Sequence, residues 1–278
     1  MANYHLTYTQ APLPFQGQKR FFIQQFARQI AQYPSDSTFV DLFGGSGLLS
    51  RVCKDIHPSA RVLYNDHDHY SDRLALIPQT ETIRQRLLPL VAHVPRSKRI
   101  DPATVHRICN VLLACQQEGL LIDYTTISTW LLYTMHYCDS IDALSGRSLY
   151  NSIPTTPIAP TRDYLAGLEV RHTDYRHLIT EFGNDPKVIY LADPPYLATN
   201  TNQYQTGWRL EDTLELLGHL NGKQVIYFTS SRADLVPILE WAESTLKAQN
   251  PFSRATKHLR RNTTNANNHY TDIMYVVR

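Results

Sequence analysis

Asp193-Pro194-Pro195-Tyr196 combines a carboxylate, a backbone carbonyl and an aromatic ring directly after an apolar stretch. That stretch, 188–192, is typical of a buried strand, and the two prolines restrict the following backbone to extended geometry. In α/β proteins, ligands bind at the carboxyl ends of the strands. Asp193 and the Pro194 carbonyl could accept both hydrogens of an exocyclic amino group, while Tyr196 stacks on the ring that bears it. A rigid Pro-Pro loop without a ligand is the alternative interpretation.

A second pattern, Phe39-Val40-Asp41-Leu42-Phe43-Gly44-Gly45-Ser46-Gly47, leads from an apolar strand through glycines into a helix. Glycines allow a sharp turn and let the backbone approach a ligand closely. Asp66 ends the next predicted strand, and an acidic residue about twenty positions after such a turn suits ribose hydroxyls. The pattern predicts a site for a nucleoside-containing cofactor, either a nicotinamide dinucleotide or S-adenosylmethionine. A tight turn without a ligand is the other interpretation.

The elements that must position these residues alternate between strands and helices. Apolar runs predict strands at 38–43, 61–65, 168–172, 188–192, 224–229, 253–258 and 272–277. Helical periodicity predicts helices at 17–33, 48–56, 175–182, 211–220 and 234–246. Strands separated by helices should pair parallel, whereas the last two have only the polar stretch NTTNANNHY between them and should pair antiparallel. The predicted fold class is α/β with a seven-stranded sheet.

The stretch between the second and third strands has a different pattern. Asp101 and Pro102 are typical of the N-cap and first position of a helix, and Thr125 could cap another helix that reaches Met135. Residues 145–160 are rich in Ser, Pro and Thr, which predicts a loop or hairpin. We therefore expect a domain formed by 1–70 and 168–278, and a mostly helical insertion at 71–167.

These motifs, in this order, resemble those of the amino-group DNA methyltransferases that use S-adenosylmethionine, and among them the Dam-type adenine-N6 enzymes. The resemblance covers nearly the whole chain, and its most specific match is the catalytic tetrapeptide Asp193 to Tyr196. It implies a Rossmann-like methyltransferase sheet, a target-recognition role for the insertion at 71–167, and S-adenosylmethionine as cofactor. The catalytic residues that it implies are Asp193, Pro194 and Tyr196. Those that it places at the cofactor are Phe15, Lys19, Asp41, Phe43, Gly44, Gly45, Gly47, Asp66, Asp174, Tyr175 and Asp193.

The resemblance also implies individual roles at the cofactor. Pro14 to Arg20 matches the family's N-terminal motif, an aromatic residue followed four positions later by a lysine, although Gln18 stands where the family has a further glycine. Lys19 is then expected to pair with the cofactor carboxylate and Asp66 to accept from the ribose hydroxyls. Asp174-Tyr175 resembles the pair of residues beside the cofactor adenine.

Double-stranded DNA is the partner that the resemblance implies. Residues 146–154 resemble the family's DNA-contacting hairpin, which makes Arg147, Tyr150 and Asn151 candidate DNA-binding residues. Six basic residues stand against one aspartate between 84 and 107, and there Arg96, Lys98 and Arg99 are predicted to contact DNA. For this group, and for the second basic group Arg254, Lys257, Arg260 and Arg261, a solvated surface is the alternative.

Four other functions compete with adenine methylation of DNA. Cytosine-N4 methylation also transfers a methyl group to an exocyclic amino group. In the enzymes that catalyse it the tetrapeptide usually begins with serine, so Asp193 favours adenine. An RNA substrate and a DNA-binding module with a decayed methylase site remain alternatives, although Lys19, Asp66 and Asp193 argue against decay. A nicotinamide dehydrogenase would have no use for the tetrapeptide.

Composition excludes several other classes. The chain has 278 residues, of which 42% are hydrophobic and 19% charged, which is typical of a folded protein rather than a disordered one. The sequence has neither a run long enough for a membrane helix nor a secretory signal at its start, and its four cysteines form no C-x-x-C pair. We expect no metal, because His67 and His69 have no candidate third ligand. We expect a cytoplasmic, nucleoid-associated enzyme of DNA methylation and restriction-modification, monomeric on DNA or weakly dimeric.

Overall fold

The chain forms two compact units. The computed structural model describes residues 4–133, 136–161, 163–196, 208–233, 235–247, 250–265 and 268–278. The sheet unit comprises Met1–Gln10, Gly17–Asp68 and Leu165–Arg278, and the helical unit comprises Ala11–Gln16 and His69–Tyr164. The predicted domains end within a few residues of these bounds, except that the short segment Ala11–Gln16 groups with the helical unit.

A mixed sheet of seven strands lies within the described part of the sheet unit. Its strands are β1 (Thr38–Asp41), β2 (Arg61–Asn65), β3 (Glu169–Arg171), β4 (Val188–Ala192), β5 (Gln224–Ser230), β6 (Thr256–Asn265) and β7 (Asn268–Val277). They stand in the order β3-β2-β1-β4-β5-β7-β6. The first five are parallel, and β7 runs antiparallel to both β5 and β6. The predicted seven-stranded Rossmann-like α/β fold is confirmed.

Helices cover both faces of this sheet. The helices of the described chain are α1 (Ile23–Ile30), α2 (Leu48–Ile56), α3 (Tyr70–Ala75), α4 (Ile77–Leu87), α5 (Pro102–Gln117), α6 (Tyr124–Leu131), α7 (Ile141–Ser145), α8 (Tyr175–Phe182), α9 (Leu210–Leu220) and α10 (Leu235–Leu246). Alternate strand residues point to opposite faces. Phe39 and Ile189 therefore pack with α1 and α2, whereas Val40 and Tyr190 pack with α8, α9 and α10.

The helical unit has an apolar core of its own, built from α4 to α7 and the segments between them. Asp101 caps α5 as predicted, because its side chain accepts from the Thr104 backbone N–H at 2.9 Å. The predicted Thr125 cap is wrong: Asp123 caps α6 by accepting from Thr126 N at 3.2 Å, and α6 ends at Leu131. Met135 lies outside the described residues.

Two segments predicted as loops pair as extended chain. β6 and β7 continue into most of the polar NTTNANNHY stretch. Beyond the end of β5, backbone hydrogen bonds between β6 and β7 hold the two strands together. Residues 149–152 do not close a hairpin on themselves. They pair with 97–100 on one side, through Asn151 N–Lys98 O at 3.0 Å, and bond to 130–131 on the other.

The turn between β1 and α2 depends on close approach of the backbone to β2. Gly44 N donates to Asn65 O at 3.1 Å, and Gly45 and Gly47 have the positive φ angles 49° and 73°. A Cβ on Gly44 would overlap the Tyr64 ring and lie 2.9 Å from Asn65 O. Glycine is therefore required at these positions by both space and backbone conformation.

Replacing Gly44 by alanine should destabilise the fold by about 1–3 kcal/mol, because the added methyl overpacks the turn against Tyr64 and backbone. Gly218→Ala is the matched control, since a Cβ there meets nothing within 4 Å and the residue lies exposed in α9. That change should stabilise the helix by up to about 1 kcal/mol. Denaturant midpoints measure both, and equal midpoints for the two variants would contradict the packing described for the turn.

Candidate active site

Acidic residues collect where neighbouring parallel strands end. Asp41 closes β1, Asp66 follows β2 and Asp193 follows β4, and these three strands are adjacent in the sheet. We call this end of the sheet the carboxyl edge. It is where α/β sheets place their ligands, so the sequence motifs converge on the expected location.

Asn65 fixes the geometry of the carboxyl edge, and sequence reasoning assigned it no role. Its buried side-chain amide donates to Leu42 O at 3.0 Å and to Thr173 O at 2.9 Å, and its Oδ1 accepts from Thr173 N at 3.1 Å. One side chain thus joins the ends of β1, β2 and β3. Its position between Tyr64 and Asp66 in the cofactor motif is the only sequence signal that could have pointed to it.

Asp66, the predicted ribose acid, is fully buried at the end of β2. The Tyr64 hydroxyl lies 3.0 Å from Asp66 Oδ1 and 2.7 Å from Gly45 O, so its proton is shared between the acid and the glycine turn. Tyr64 therefore ties the acid to the turn, which brings together the two parts of the predicted cofactor motif.

Asp41 is a buried acid whose carboxyl is only partly satisfied. Its Oδ2 accepts from Ser50 Oγ at 2.7 Å, whereas Oδ1 has no hydrogen-bond partner among the described residues. Burial, together with the nearby Asp193 charge, raises the pKa of Asp41 to about 7 against the lowering effect of the Ser50 hydrogen bond. At neutral pH this carboxyl is therefore poised between its neutral and charged forms.

Both carboxylate oxygens of Asp193 have partners. Oδ2 lies 2.5 Å from Lys19 Nζ, and Oδ1 accepts from the Tyr196 hydroxyl at 3.2 Å. The Lys19 and Asp193 side chains are 6% and 18% exposed, so the ion pair is largely withdrawn from water. Burial and then the Asp193 charge raise the pKa of Tyr196 well above its usual value, which keeps its hydroxyl protonated as a donor.

Lys19 lies against the tetrapeptide Asp193 to Tyr196. Its ammonium lies 2.7 Å from Gly17 O and contacts Asp193, and it stands 5.2 Å from the centroid of the Tyr196 ring. The contact of Lys19 with a cofactor carboxylate, which the resemblance implies, remains a prediction.

Three aromatic rings pack together near the carboxyl edge. The Phe43 ring lies 5.2 Å from Tyr175 and 5.4 Å from Trp208, measured between centroids. Trp208 was not predicted, and it is held by a hydrogen bond from its Nε1 to Thr213 Oγ1 at 2.9 Å. The Tyr175 hydroxyl is buried without a hydrogen-bond partner among the described residues, and burial raises its pKa to about 12.

Asp174, predicted beside the cofactor adenine, has a structural role in this arrangement. Its Oδ1 caps α8 by accepting from Arg176 N at 2.7 Å, and its Oδ2 pairs with the Arg176 guanidinium at 3.0 Å. Helix capping is the ordinary use of an aspartate at this position.

Phe15 belongs to the helical unit. Its ring packs edge-on against Tyr70, with 5.7 Å between centroids. Its role at a cofactor therefore remains a prediction.

The pairing of 149–152 with 97–100 brings four of the predicted DNA-binding residues, Lys98, Arg99, Tyr150 and Asn151, together within the helical unit. Arg99 and Tyr150 form an antiparallel bridge, and the predicted DNA-binding residues with exposed side chains are Arg96, Lys98, Arg99 and Arg147. Asn151 differs, because its amide donates to Val94 O at 2.6 Å and to Val91 O at 3.3 Å. In this structure Asn151 holds a loop instead of presenting its amide to solvent.

Other basic residues of the stretch 84–107 are engaged within the protein. Arg84 is buried and bonds Glu81 and Pro154 O, at 2.7 and 2.8 Å. Arg86 pairs with Glu118 at 2.7 Å. The charge excess of this stretch is therefore partly neutralised, and besides Arg86 its exposed cations are Arg96, Lys98, Arg99 and Arg107.

The described residues contain no group of His, Cys, Asp and Glu that could hold a metal ion. His69 instead lies 3.3 Å from Asp72. Across the same described part of the chain, none of the helices has the length and apolar character needed to cross a membrane.

Asp41→Asn should remove a pH dependence of stability. A carboxyl whose folded pKa is raised from 3.8 to about 7 contributes most below pH 4, and its contribution is lost as the pH rises to 7. The asparagine variant has no such carboxyl and does not lose this contribution. As the pH rises from below 4 to 7, its free energy of unfolding should therefore increase relative to that of the wild type, by on the order of 4 kcal/mol. Denaturant titrations across this pH range measure it.

Asp36→Asn is the control of opposite sign. Lys187 lowers the pKa of exposed Asp36, so any stabilisation from that pair is present at neutral pH and is lost as the pH falls. If Asp41→Asn and the wild type kept a constant difference in unfolding free energy from acid to neutral pH, the raised pKa would be refuted.

Comparison with known proteins identifies the family. A protein of Haemophilus influenzae strain Rd that carries the description "Putative methyltransferase" is 32% identical over 246 residues. The match spans 86% of this chain and 82% of the relative. No protein-family model matches the chain. Because the identity extends over most of both proteins, and the fold is the Rossmann-like one, this chain belongs to that methyltransferase family.

Proposed function

We propose that this methyltransferase transfers a methyl group from S-adenosylmethionine to the N6 amino group of an adenine that is flipped out of duplex DNA. The observation that carries the proposal is the arrangement of the tetrapeptide after β4. There, Lys19 and Tyr196 hold the Asp193 carboxylate at the carboxyl edge, beside the glycine turn. A carboxylate fixed in this way is suited to aligning an amino group.

The residues present fit S-adenosylmethionine. Asp66 supplies an acid that can accept from ribose hydroxyls, and the glycine turn lets the backbone approach the ribose closely. The Tyr64 hydroxyl contacts both Asp66 and the turn. Asp41 has a buried oxygen without a hydrogen-bond partner among the described residues, a position that suits a cationic group such as the cofactor's ammonium. Phe43, which is half-buried and packs on Tyr175, offers an aromatic ring for its adenine. When bound, the cofactor supplies an electrophilic methyl group on sulfur.

The tetrapeptide would act by orientation and charge. Asp193 and the Pro194 carbonyl accept the two hydrogens of the target amino group, which turns the nitrogen lone pair toward the methyl group and stabilises positive charge on nitrogen. The ammonium of Lys19 fixes one oxygen of the Asp193 carboxylate through a charge-assisted contact. Asp193 is thus an acceptor, and Lys19 is a positioning residue. The nitrogen–methyl bond would form as the sulfur–methyl bond breaks, so that the sulfur leaves as a neutral thioether, and the amino proton would then pass to its acceptor Asp193 and on to water.

A DNA substrate fits the helical unit. The pairing of 97–100 with 149–152 sets Lys98 and Arg99 beside Tyr150, and Arg96 and Arg147 are further exposed cations in the flanking sequence, as suits a surface that binds a phosphate backbone. Flipping a base costs a few kcal/mol, and stacking on Tyr196 can return about 1–3 kcal/mol of it. For recognition we favour Arg147 and Tyr150 over Asn151, whose amide already bonds the 91–94 loop.

Adenine is favoured over cytosine by the aspartate at the head of the tetrapeptide, as the resemblance implies. The contact between Lys19 and Asp193 also argues against a decayed site, because residues 174 positions apart still form a short ion pair. An experiment must distinguish this proposal from three alternatives: cytosine-N4 methylation, an RNA substrate, and a binding module without activity.

Incubation with methyl-labelled S-adenosylmethionine and either DNA or RNA, followed by digestion to nucleosides, identifies the product. We expect N6-methyladenosine in its deoxy form and no label in RNA. Asp193→Asn should lower single-turnover transfer by about 100-fold or more, because the aligning carboxylate is lost. Labelled cytosine would show the N4 reaction, and no labelled nucleoside would refute the proposal.

Asp185→Asn is the matched control for that variant, because Asp185 is exposed at the opposite end of β4. Its transfer rate should equal that of the wild type. Asp193→Asn transfer within about threefold of this control, less than 1 kcal/mol in the barrier, would contradict the role given to Asp193.

A further inference from the structure

The second basic group of the sequence, 254–261, is divided between two faces of the sheet by β6. Side chains alternate along a strand, so Arg260 shares the face of His258, which meets Gln25 of α1 at 3.1 Å. Lys257 lies on the opposite face and stands 5.6 Å from the Tyr275 ring centroid. The strand therefore directs Arg260 toward the start of α1, where Lys19 and Arg20 lie, and directs Lys257 away from it.

Arg260 meets an exposed aromatic residue there. The ring belongs to Phe21, whose side chain is 56% exposed. The guanidinium carbon of Arg20 lies 4.8 Å from the Phe21 ring centroid, and that of Arg260 lies 6.0 Å from it. The ring thus stands between two exposed arginines and restricts both guanidinium groups.

Two links place this cluster beside the catalytic tetrapeptide. Arg20 directly follows Lys19, whose ammonium contacts Asp193. Arg260 pairs in register with Asp272 of β7, and the Asp272 charge is near enough to raise the pKa of Tyr196. The cluster therefore borders the carboxylate and the ring to which the target base would bind.

We propose that Arg20, Phe21 and Arg260 form a second DNA contact, on the sheet unit, for the phosphates next to the flipped nucleotide. This inference rests on the proposed DNA substrate. A flipped base stays attached to its own phosphates, so cations that border the base site are placed to meet them. Guanidinium groups match phosphate geometry with paired N–H donors, and the phenyl ring between them limits the freedom lost on binding.

The salt dependence of DNA binding tests this contact. Each phosphate contact contributes about one unit to the slope of log affinity against log salt, so Arg20→Ala/Arg260→Ala should flatten the slope by about two units. Lys257→Ala is the matched control, since it removes an exposed cation from the same strand on the opposite face, and its slope should equal that of the wild type. Arg20→Ala alone should remove about one unit, which keeps the test available if the double variant does not fold.

The outcomes separate this inference from the proposed function. If the wild type methylates DNA and the double variant keeps the wild-type slope, the contact is refuted and the proposed function stands. If the wild type neither binds nor methylates DNA, both are refuted. If the double variant binds DNA as the wild type does but no longer binds vesicles of anionic lipid, the cluster is a membrane contact and the inference is wrong.

Discussion

The ion pair between Lys19 and Asp193 is the interaction on which the candidate site depends. It joins the segment before α1 to the strand end after β4, and both side chains are largely withdrawn from water. Removing one partner of such a pair leaves an uncompensated buried charge, which typically costs about 3–5 kcal/mol. The pair also sets the charges around it, because the Asp193 charge raises the pKa of both Asp41 and Tyr196. The site therefore contains one held carboxylate, one neutral phenol and one acid close to its titration point.

The sheet supplies the rigidity that this charge arrangement needs. β1, β2 and β4 are adjacent and parallel, so three acids separated by long stretches of sequence reach the same edge. Asn65 joins the loops after β1 and β3 to β2, and apolar layers on both faces fix the strands beneath them. The proposed alignment of an amino group requires precisely positioned side chains, and a site built on strand ends is more precise than one carried by long loops.

Local pattern was sufficient to predict much of the fold. The bounds predicted for β2, β4, α2 and α8 are those observed, because each is a short apolar or periodic run with clear breaks on both sides. The convergence of Asp41, Asp66 and Asp193 also followed from the rule that parallel strands place ligands at their carboxyl ends.

Contacts between residues that are far apart in the sequence could not be predicted from local sequence pattern. Lys19 could not be assigned to Asp193 before the strand order was known, and the Asn151 amide finds its carbonyl partners some 60 residues away. Trp208 packs with Phe43 and Tyr175, which precede it by 165 and 33 positions in the sequence. The antiparallel pairing of the last two strands was predicted, but their extension through the polar stretch was not, because backbone hydrogen bonds hold that extension and no apolar alternation marks it.

A double-mutant cycle on Lys19 and Asp193, with single-turnover methyl transfer and cofactor affinity as its two measurements, tests the central claim most directly. If Lys19 acts through Asp193, Lys19→Met and Asp193→Asn each lose most of the transfer rate, and the double variant is no slower than the slower single variant. Cofactor affinity then changes little in any of the three. Losses that multiply in the double variant, with cofactor affinity lost in Lys19→Met alone, would contradict the account and return Lys19 to a cofactor carboxylate.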